Sequence, residues 1–428
     1  MARSRSRSFT TTIVGVFAVG SLLALSACAP PDEPVESASP SATPPPTPYA
    51  GPAVFVGDEL DLLLLAPDEL RGLLPGIVDI GASSSVLEQI SDGGGPQPAP
   101  DICSALFVEQ SLWSVGARSV TWAVPDDTEV GIGRLTVLQF ADEAHAAARM
   151  DQLVSAADQC GTFDYNGPAT FDAVVREDSE NARALAGTTT LPENEGGRSD
   201  FQAFASVGNV LVQLWQPVAG ADAVDADAAA ALLQDRAEEA HAALVDELTE
   251  NPPETTEERP VDASAPWGEW AIDSAGIGPI RLGDEIDAAI AAVPGAEVVE
   301  PEYEGDPWKI VNADGTASLL IQPVEDGTAV ASVTAGNDRW LDETAQDGAA
   351  LPSSWGVRVG DPVADAVAAL PGGTTVTVAS SGDDWYDVAT RDGRLFRFTA
   401  DRDVVDPESV IIGITVEDAT QRRMLVFG

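Results

Sequence analysis

The chain is poor in the side chains from which most reactive sites are built. Its 428 residues include three cysteines, two histidines and a single lysine, Lys309. A metal site made from sulfur and imidazole ligands lacks its ligands here, since there is no CxxC pair, so we expect no metal and no cofactor. Neither histidine is accompanied by a recognisable nucleophile, and we therefore predict that the protein is not an enzyme.

Positive charge is also scarce. Lysine and arginine together number 22 against 70 aspartates and glutamates, which gives a formal net charge of −48. Such a field repels nucleic-acid phosphates, so we expect no nucleic-acid partner. The acids are scattered along the chain, which is typical of the solvated surface of a secreted protein.

The N-terminus has the three parts of a secretory signal. Three arginines within the first seven residues precede an apolar run over residues 13–25, and Leu-Ser-Ala-Cys follows at residues 25–28. This ending resembles the lipobox of bacterial lipoproteins. The resemblance implies removal of residues 1–27, lipid modification of Cys28, and anchoring to the extracytoplasmic face of the cell membrane. A cytosolic protein with a buried, free Cys28 is the alternative.

Two cysteines remain once Cys28 is lipidated. Cys103 and Cys160 would then face an oxidising compartment, which favours one disulfide between them. A metal site with two cysteine ligands is the competing interpretation, and it lacks nearby histidines.

Shifts in composition predict the domain boundaries. Residues 28–52, rich in proline and serine, form a tether, and a folded domain follows over 53–248. Residues 249–266 form an acidic, proline-rich linker. Two further units occupy 267–350 and 351–428.

The first folded domain alternates between strand and helix periodicities. Ala147, Met150, Val154 and Ala157 share one face of a predicted helix, which places His145 on the opposite, polar face. The other predicted elements are strands over 119–124 and 133–140, a hairpin over 201–215 that turns at Gly208-Asn209, and a long helix over 225–248. Together these elements predict an α+β domain with an antiparallel sheet.

The order of these elements resembles the PknH-type extracellular sensor domain, which occurs on receptor serine/threonine kinases and in lipoproteins. The family usually has a second disulfide around the last hairpin, whereas Asp200 and Gln216 flank that hairpin here. The resemblance implies a cleft that binds an extracytoplasmic ligand.

The last third of the chain contains an internal repeat. The sequence RLGD at 281–284 recurs as RVGD at 358–361, and the same spacing of 77 places Trp308 level with Trp385. Each unit reads as a short strand, a helix and a β-meander. This layout resembles the beta-lactamase inhibitor protein and the assembly lipoprotein BamE, and the resemblance implies protein binding through a concave sheet.

Five residues of the two units are candidates for an interface. Trp308 and Trp385 are either core residues of each copy or a pair of exposed aromatic anchors. Arg391, Arg394 and Arg397 lie in a segment of net positive charge, which is either a solvated strand edge or a site for an acidic partner.

The sequence thus predicts a membrane-anchored extracytoplasmic lipoprotein that binds an envelope ligand through its PknH-like domain. A protein-interaction or envelope-assembly scaffold acting through the repeats is the alternative. A hydrolase with paired carboxylates comes third, because no two acids stand out among so many.

Replacing Cys28 tests the predicted anchor. We expect Cys28→Ala to remain unlipidated and uncleaved by the lipoprotein peptidase, because the sulfur of Cys28 is the atom that carries the lipid. Intact mass and detergent-phase partitioning of the purified protein would measure both effects. Normal processing of the variant would contradict the lipobox.

Overall fold

The structure is a computed structural model of the chain. It describes residues 48–90, 97–125, 130–218, 224–253, 261–303, 305–325, 327–338 and 346–424. These residues belong to one compact unit, Pro46–Gly428. The predicted signal peptide, Cys28, most of the tether, and residues 254–260 of the predicted linker lie outside the described residues.

Helices and strands are mixed, the sheets are mostly antiparallel and the helices few, which agrees with the predicted α+β class. The helices are α1 (Pro67–Leu73), α2 (Glu143–Gln159), α3 (Ala226–Glu250), α4 (Ile286–Ala291) and α5 (Val363–Ala369). In the described part of the chain, none of the helices has the length and apolar character that crossing a bilayer requires.

Eight strands precede α3. They are β1 (Val86–Gln89), β2 (Gly116–Pro125), β3 (Val130–Gln139), β4 (Phe163–Asp164), β5 (Pro168–Arg176), β6 (Ala182–Thr190), β7 (Ser199–Val207) and β8 (Val210–Pro217). Seven of them form an antiparallel sheet in the order β2-β3-β8-β7-β6-β5-β4. The predicted hairpin is β7–β8.

The seven-stranded sheet is buried on both faces. Along β7, Phe201, Ala203 and Ala205 face the core under α3, while Phe204 faces the core under α2. This alternation follows from the two-residue period of a strand. The predicted long helix is α3, and Leu233, Ala237, Ala240 and Leu244, which recur at helical spacing along it, are all buried.

The turn of the β7–β8 hairpin shows why its sequence is Gly-Asn. Gly208 has a positive φ of 50°, which a glycine adopts without steric cost. The fully buried Asn209 accepts a hydrogen bond from the Phe55 N–H at 2.7 Å and donates one to the Phe140 carbonyl at 2.9 Å. The turn therefore fixes two other segments of the chain.

The predicted apolar face of α2 is confirmed in part, because Met150 is buried and Val154 and Ala157 pack half-buried against the same core. The placement of His145 on a polar face was wrong, since His145 and Arg149 are buried as well. Segments distant in sequence cover the histidine side of the helix: the Leu112 carbonyl accepts from Arg149, and the Arg422 carbonyl lies against His145. Helical periodicity carries no information about such covering segments.

Eleven strands follow α3. They are β9 (Ile272–Asp273), β10 (Gly276–Ile277), β11 (Ile280–Arg281), β12 (Glu297–Val299), β13 (Trp308–Val311), β14 (Ser318–Pro323), β15 (Val330–Gly336), β16 (Thr374–Val378), β17 (Asp383–Ala389), β18 (Arg394–Ala400) and β19 (Ile411–Asp418). The first three form a small sheet of their own. The others, with β1, form a nine-stranded sheet in the order β1-β16-β17-β18-β19-β15-β14-β13-β12.

The nine-stranded sheet draws on both halves of the chain. Strand β1 lies parallel to β16, with Val86 opposite Thr375, and every other neighbouring pair is antiparallel. Leu87 of β1 and Val376 of β16 belong to the same core as α2 and the seven-stranded sheet. The two sheets are therefore joined by hydrogen bonds and by a shared core.

The disulfide predicted between Cys103 and Cys160 is present. Its Cα atoms are 5.8 Å apart, well within the range that a disulfide spans. It links the short helical segment Asp101–Leu106 to the end of α2.

Removing this disulfide should destabilise the protein. The two cysteines are 57 residues apart in sequence, and closing a loop of this length stabilises a fold by about 4 kcal/mol in the chain-entropy model. We expect the free energy of unfolding of the double variant Cys103→Ala/Cys160→Ala, measured in urea, to be lower than that of the wild type by a large part of this amount. The reduced wild-type protein serves as the control, because it should lose a similar amount without any substitution. Equal stability of oxidised and reduced protein would contradict this role.

Candidate ligand-binding groove

The two faces of the nine-stranded sheet differ in polarity. Along β18, Phe396 and Phe398 face the core that also contains residues of α4 and α5. The residues between and after them, Arg397 and Thr399, point to the opposite face because neighbouring side chains of a strand alternate. Polar residues thus cover one face at regular intervals.

A groove of about 290 Å³ lies on this polar face. It crosses β14, β15, β19, β18 and β17. Its walls and floor are formed by Pro307, Leu320, Gln322, Ser332, Thr334, Asp338, Asp383, Trp385, Arg397, Thr399, Thr415 and Glu417. Because almost all of these side chains stand on strands, the groove has a rigid framework.

Trp385, Asp387 and Arg397 form a fixed cluster at one end of the groove. The Arg397 Nε and Nη2 atoms each lie 2.9 Å from a different carboxylate oxygen of Asp387. The Trp385 Nε1 donates to the same carboxylate at 2.9 Å, and the guanidinium lies 4.0 Å from the centre of the indole ring. With Asp387 only 2% exposed, this bidentate pair holds both the arginine and the indole in place.

A second charge pair lies beside the groove. The Arg422 Nε and Nη2 atoms donate to the two carboxylate oxygens of Glu417 at 2.7 and 2.8 Å, and Arg422 Nη1 donates to the Ser114 carbonyl at 2.9 Å. Burial by itself raises the pKa of Glu417, but the charge and hydrogen bonds of Arg422 outweigh that effect, so the pKa lies below its ordinary value. Burial likewise lowers the pKa of Arg422, and the charge and hydrogen bonds of Glu417 raise it further than burial lowers it.

Hydroxyl groups occupy the middle of the groove. Thr334 and Thr415 lie directly opposite each other on β15 and β19, and their Oγ1 atoms are 2.7 Å apart. The Thr399 hydroxyl is buried and finds no hydrogen-bond partner among the residues that the structure describes. The groove therefore offers neutral hydrogen-bonding groups between its two charge pairs.

All three arginines predicted to form an interface are paired with carboxylates. Arg397 binds Asp387, Arg394 binds Asp418, and Arg391 binds Glu59 of the short helical segment Gly57–Leu63. These ion pairs account for the local excess of arginine. Arg391 contributes to packing between the halves of the chain, and among these three only Arg397 lines the groove.

The two tryptophans of the predicted interface lie on opposite faces of the sheet. Trp308 pairs with Ile321 and packs half-buried against the core, whereas Trp385 pairs with Thr399 and lines the groove. Aligning the two meanders by their strand partners places Trp308 level with Tyr386, so the predicted equivalence of the tryptophans was wrong. Trp308 lies 13 residues before its partner Ile321, whereas Tyr386 lies 12 residues before its partner Phe398, so the first hairpin contains one residue more. A slip of one residue exchanges the faces of a strand.

Most residues of the groove were not identified from the sequence. Asp387, Glu417 and the facing threonines Thr334 and Thr415 gave no motif, because their positions in the chain are far apart. The alternation of apolar and polar residues along β19 is the one signal that marks Thr415 and Glu417 as lying on the face opposite to the core.

Comparisons with known proteins add a low level of structural likeness. No family model matches the chain, and no curated protein matches it. The extracellular domain of PknH from Mycobacterium tuberculosis is similar with a TM-score of 0.29 and 15% identity, over 48% of this chain and 99% of that domain. A putative uncharacterized protein from Mycobacterium smegmatis is similar with a TM-score of 0.23 and 12% identity, over 44% of this chain and 97% of that protein.

The Glu417–Arg422 pair predicts sensitivity to acid. A carboxylate whose pKa is lower in the folded state stabilises the fold fully above its ordinary pKa, and that contribution is lost as the pH falls through the lowered value. We expect Glu417→Gln to cost about 3 kcal/mol of unfolding free energy at pH 7, because it leaves the buried Arg422 without the carboxylate that neutralises its charge. The difference in unfolding free energy between wild type and Glu417→Gln should shrink as the pH falls below the ordinary pKa of glutamate.

Urea unfolding at pH 7 and pH 3 would measure this difference. Glu325→Gln is a matched control, because Glu325 pairs with Arg423 at 2.7 Å on the surface, where both side chains are more than half exposed. Exposed pairs contribute little to stability. A constant difference between wild type and Glu417→Gln at the two pH values would contradict the assignment.

Proposed function

We propose that the protein is a lipid-anchored extracytoplasmic lipoprotein that binds a polar ligand of the cell envelope in the groove of its nine-stranded sheet. The lipobox at Cys28 supports the location. The groove carries the proposed binding function, because it combines a concave shape, a rigid framework and converging polar side chains, which are the usual features of a small-molecule site.

The size and chemistry of the groove favour a small, hydrogen-bonding ligand. Its volume of about 290 Å³ is close to the lower end of the range for small-molecule sites. The charged groups Arg397 and Glu417 already have partners, so a ligand meets threonine, serine and glutamine side chains together with the carboxylates of Asp338 and Asp383. Hydroxyl, amide or amino groups complement such a surface, whereas an anionic ligand would be repelled by the two aspartates and would have to compete with Asp387 for Arg397.

This site differs from the ligand cleft that the PknH resemblance implies for residues 53–248, for which the space between the β7–β8 hairpin and α3 is one place. There, Phe201 and Ala205 of β7 pack with Leu233 and Leu244 of α3 in one apolar core. Side chains therefore occupy the space between hairpin and helix. We retain the PknH-like architecture as a proposal for residues 53–248, and we assign this part of the chain the role of supporting the groove.

The support consists of contacts beside the groove, on the same face of the sheet. Trp385 packs against the core that α2 shares with the seven-stranded sheet, and Leu395 packs with Val115 and Ala141 of that half. A ligand bound next to Trp385 would therefore also change the packing between the two halves of the chain. Such a change gives a physical basis for a sensing function.

A protein partner is the second candidate, and the arrangement of the nine-stranded sheet favours it. We propose that the sheet is two copies of one unit: α4 precedes β12 to β15, α5 precedes β16 to β19, and Thr334 and Thr415 meet where the copies join. Leu319 and Phe396 are 77 residues apart, as are Ile321 and Phe398. All four side chains are buried in the same core, at corresponding positions of the two units. The open groove crosses both copies and could accept an extended peptide.

Photo-crosslinking in living cells separates the two candidates. A photoreactive amino acid is placed at Ser332 or Gln322 in the groove, and at Ile132 as a control, since Ile132 is 64% exposed on the other sheet. We expect an adduct of low mass from the groove positions and none from Ile132. Mass spectrometry of the purified, lipid-anchored protein identifies the adduct.

The remaining outcomes distinguish the alternatives. A discrete protein adduct from Ser332 and Gln322 would support the scaffold function instead. The same adducts at Ile132 as at the groove positions, or adducts at Ile132 alone, would contradict both uses of the groove.

A further inference from the structure

Two aspartates line one end of the groove. Asp383 is the first residue of β17, and Asp338 lies two residues after the end of β15. Strands β15 and β17 are three antiparallel pairings apart in the sheet, so they run in opposite directions. The end of β15 therefore lies level with the start of β17, and both aspartates stand at the same end of the groove.

The turn after β15 brings Asp338 towards Asp383. The Asn337 N–H donates to the Ile412 carbonyl of β19 at 3.0 Å, and the Asn337 carbonyl oxygen leaves no room for a side chain at Gly413. The chain thus crosses over β19 before it reaches Asp338. This crossing closes the end of the groove and turns it into an acidic pocket.

The basic residues near the groove do not neutralise Asp383. Among the described residues, none of the ion pairs includes this half-buried aspartate. Arg397 is bound to Asp387, which stands four residues further along β17 and so about 13 Å from Asp383. Lys309 lies on β13, five strands from β17 and so about 24 Å away.

Further carboxylates crowd the same end of β17. Burial raises the pKa of Asp384, the hydrogen bond from the Thr377 hydroxyl lowers it, and the negative charges of Asp403 and Asp383 raise it further. The carboxylates are thus close enough to repel one another. A cation bound at this end of the groove would relieve the repulsion.

We propose that the ligand of the groove, whose existence rests on the binding function proposed above, carries an ammonium group that binds at Asp383. The uncharged remainder of the ligand lies along the hydroxyl groups of Thr334 and Thr415. The net charge of −48 on the chain also raises the concentration of cations near its surface. The ammonium group can belong to an amino sugar or to a lysine-like side chain of a peptide, since both offer the same charge and the same donors.

An ammonium group suits the site better than a metal ion. In the part of the chain that the structure describes, no three acidic, histidine or cysteine side chains lie close enough together to hold a metal ion, and calcium needs a larger set of oxygen ligands. An ammonium group donates hydrogen bonds in several directions. One carboxylate and the neutral oxygens of the groove are enough to accept them.

Calorimetric titration of the purified, lipid-anchored protein in detergent tests the inference at pH 6 and constant ionic strength. Each of two probe pairs differs by acetylation of one nitrogen, which removes its charge. Glucosamine and N-acetylglucosamine represent sugars, whereas Nα-acetyl-lysinamide and its Nε-acetyl derivative represent peptides. We expect the ammonium member of at least one pair to bind about tenfold more tightly than its acetylated counterpart, because hydrogen bonds between charged groups are stronger than neutral ones. The pair with the larger ratio identifies the source of the ligand.

Three variants locate the binding. Asp383→Asn should remove most of the preference for the ammonium probe and leave the affinity for the acetylated probe unchanged. Asp365→Asn is the matched control and should behave as wild type, because Asp365 is exposed on α5, which packs on the opposite face of the sheet. Ser332→Trp fills the groove and should abolish the binding of every probe. If its Tm shows that it does not fold, Gln322→Trp takes its place.

The outcomes separate this inference from the proposed function. Equal affinity for both members of each pair, with binding lost in Ser332→Trp, would overturn the ammonium site and support the groove. Equal effects of Asp383→Asn and Asp365→Asn would attribute the preference to the overall charge of the chain and overturn it as well. Failure of both ammonium probes to bind would overturn the inference alone, because photo-crosslinking tests the groove independently. Binding that persists in a folded, groove-filling variant would contradict the groove itself.

Discussion

The packing of the two large sheets depends on one buried guanidinium group. Arg118 of β2 is 4% exposed, and its Nη2 donates to the Gly372 carbonyl at 2.8 Å and to the Asp58 carboxylate at 3.0 Å. Its Nη1 donates to the Ala117 carbonyl at 2.8 Å, and the Ala117 N–H donates to the Thr374 hydroxyl. One side chain thus connects the seven-stranded sheet, the N-terminal segment and the start of β16. A charge buried this deeply is tolerated because acceptors surround it.

The groove is a consequence of this packing. The sheets meet along β1, β16 and one end of β17 and β18, where Val376, Trp385 and Leu395 are covered by the other half of the chain. Beyond that line the same face of the nine-stranded sheet is open, and its residues are polar. Trp385 and Arg397 lie at the boundary between the covered and the open part of this face. The fixed cluster therefore marks where packing against the other half of the chain ends and the solvent-exposed surface begins.

Sequence reasoning succeeded where the information was local. The period of α3, the Gly-Asn turn and the pairing of two cysteines each depend on residues that lie close together or on a count of three. It failed where segments that are distant in sequence determine which residues are buried. His145 and Arg149 are buried by the Leu112 loop and by Arg422, and neither could be foreseen from α2. The equivalence of Trp308 and Trp385 failed because one residue in a turn reverses the face of a strand.

The candidate groove illustrates the same limit. Its residues come from five strands, and only the assembled register brings Thr334 opposite Thr415 and Asp387 beside Arg397. Trp385 was singled out by its place in the internal repeat and Arg397 by the net positive charge of its segment, but their carboxylate partner was one acid among 70. Charge pairing could not be predicted in a sequence with so many possible partners for each arginine.

The parallel pairing of β1 with β16 has a consequence for how the chain is made. Every chain is synthesised from its N-terminus, so β1 exists long before residues 374–378, which hydrogen-bond to it. During that interval its backbone groups have no strand beside them, and an unpaired strand is prone to wrong association. Contacts between residues so distant in sequence also form slowly. The nine-stranded sheet is therefore completed only when the last part of the chain has been made. If synthesis stopped before α5, β1 would have no partner strand.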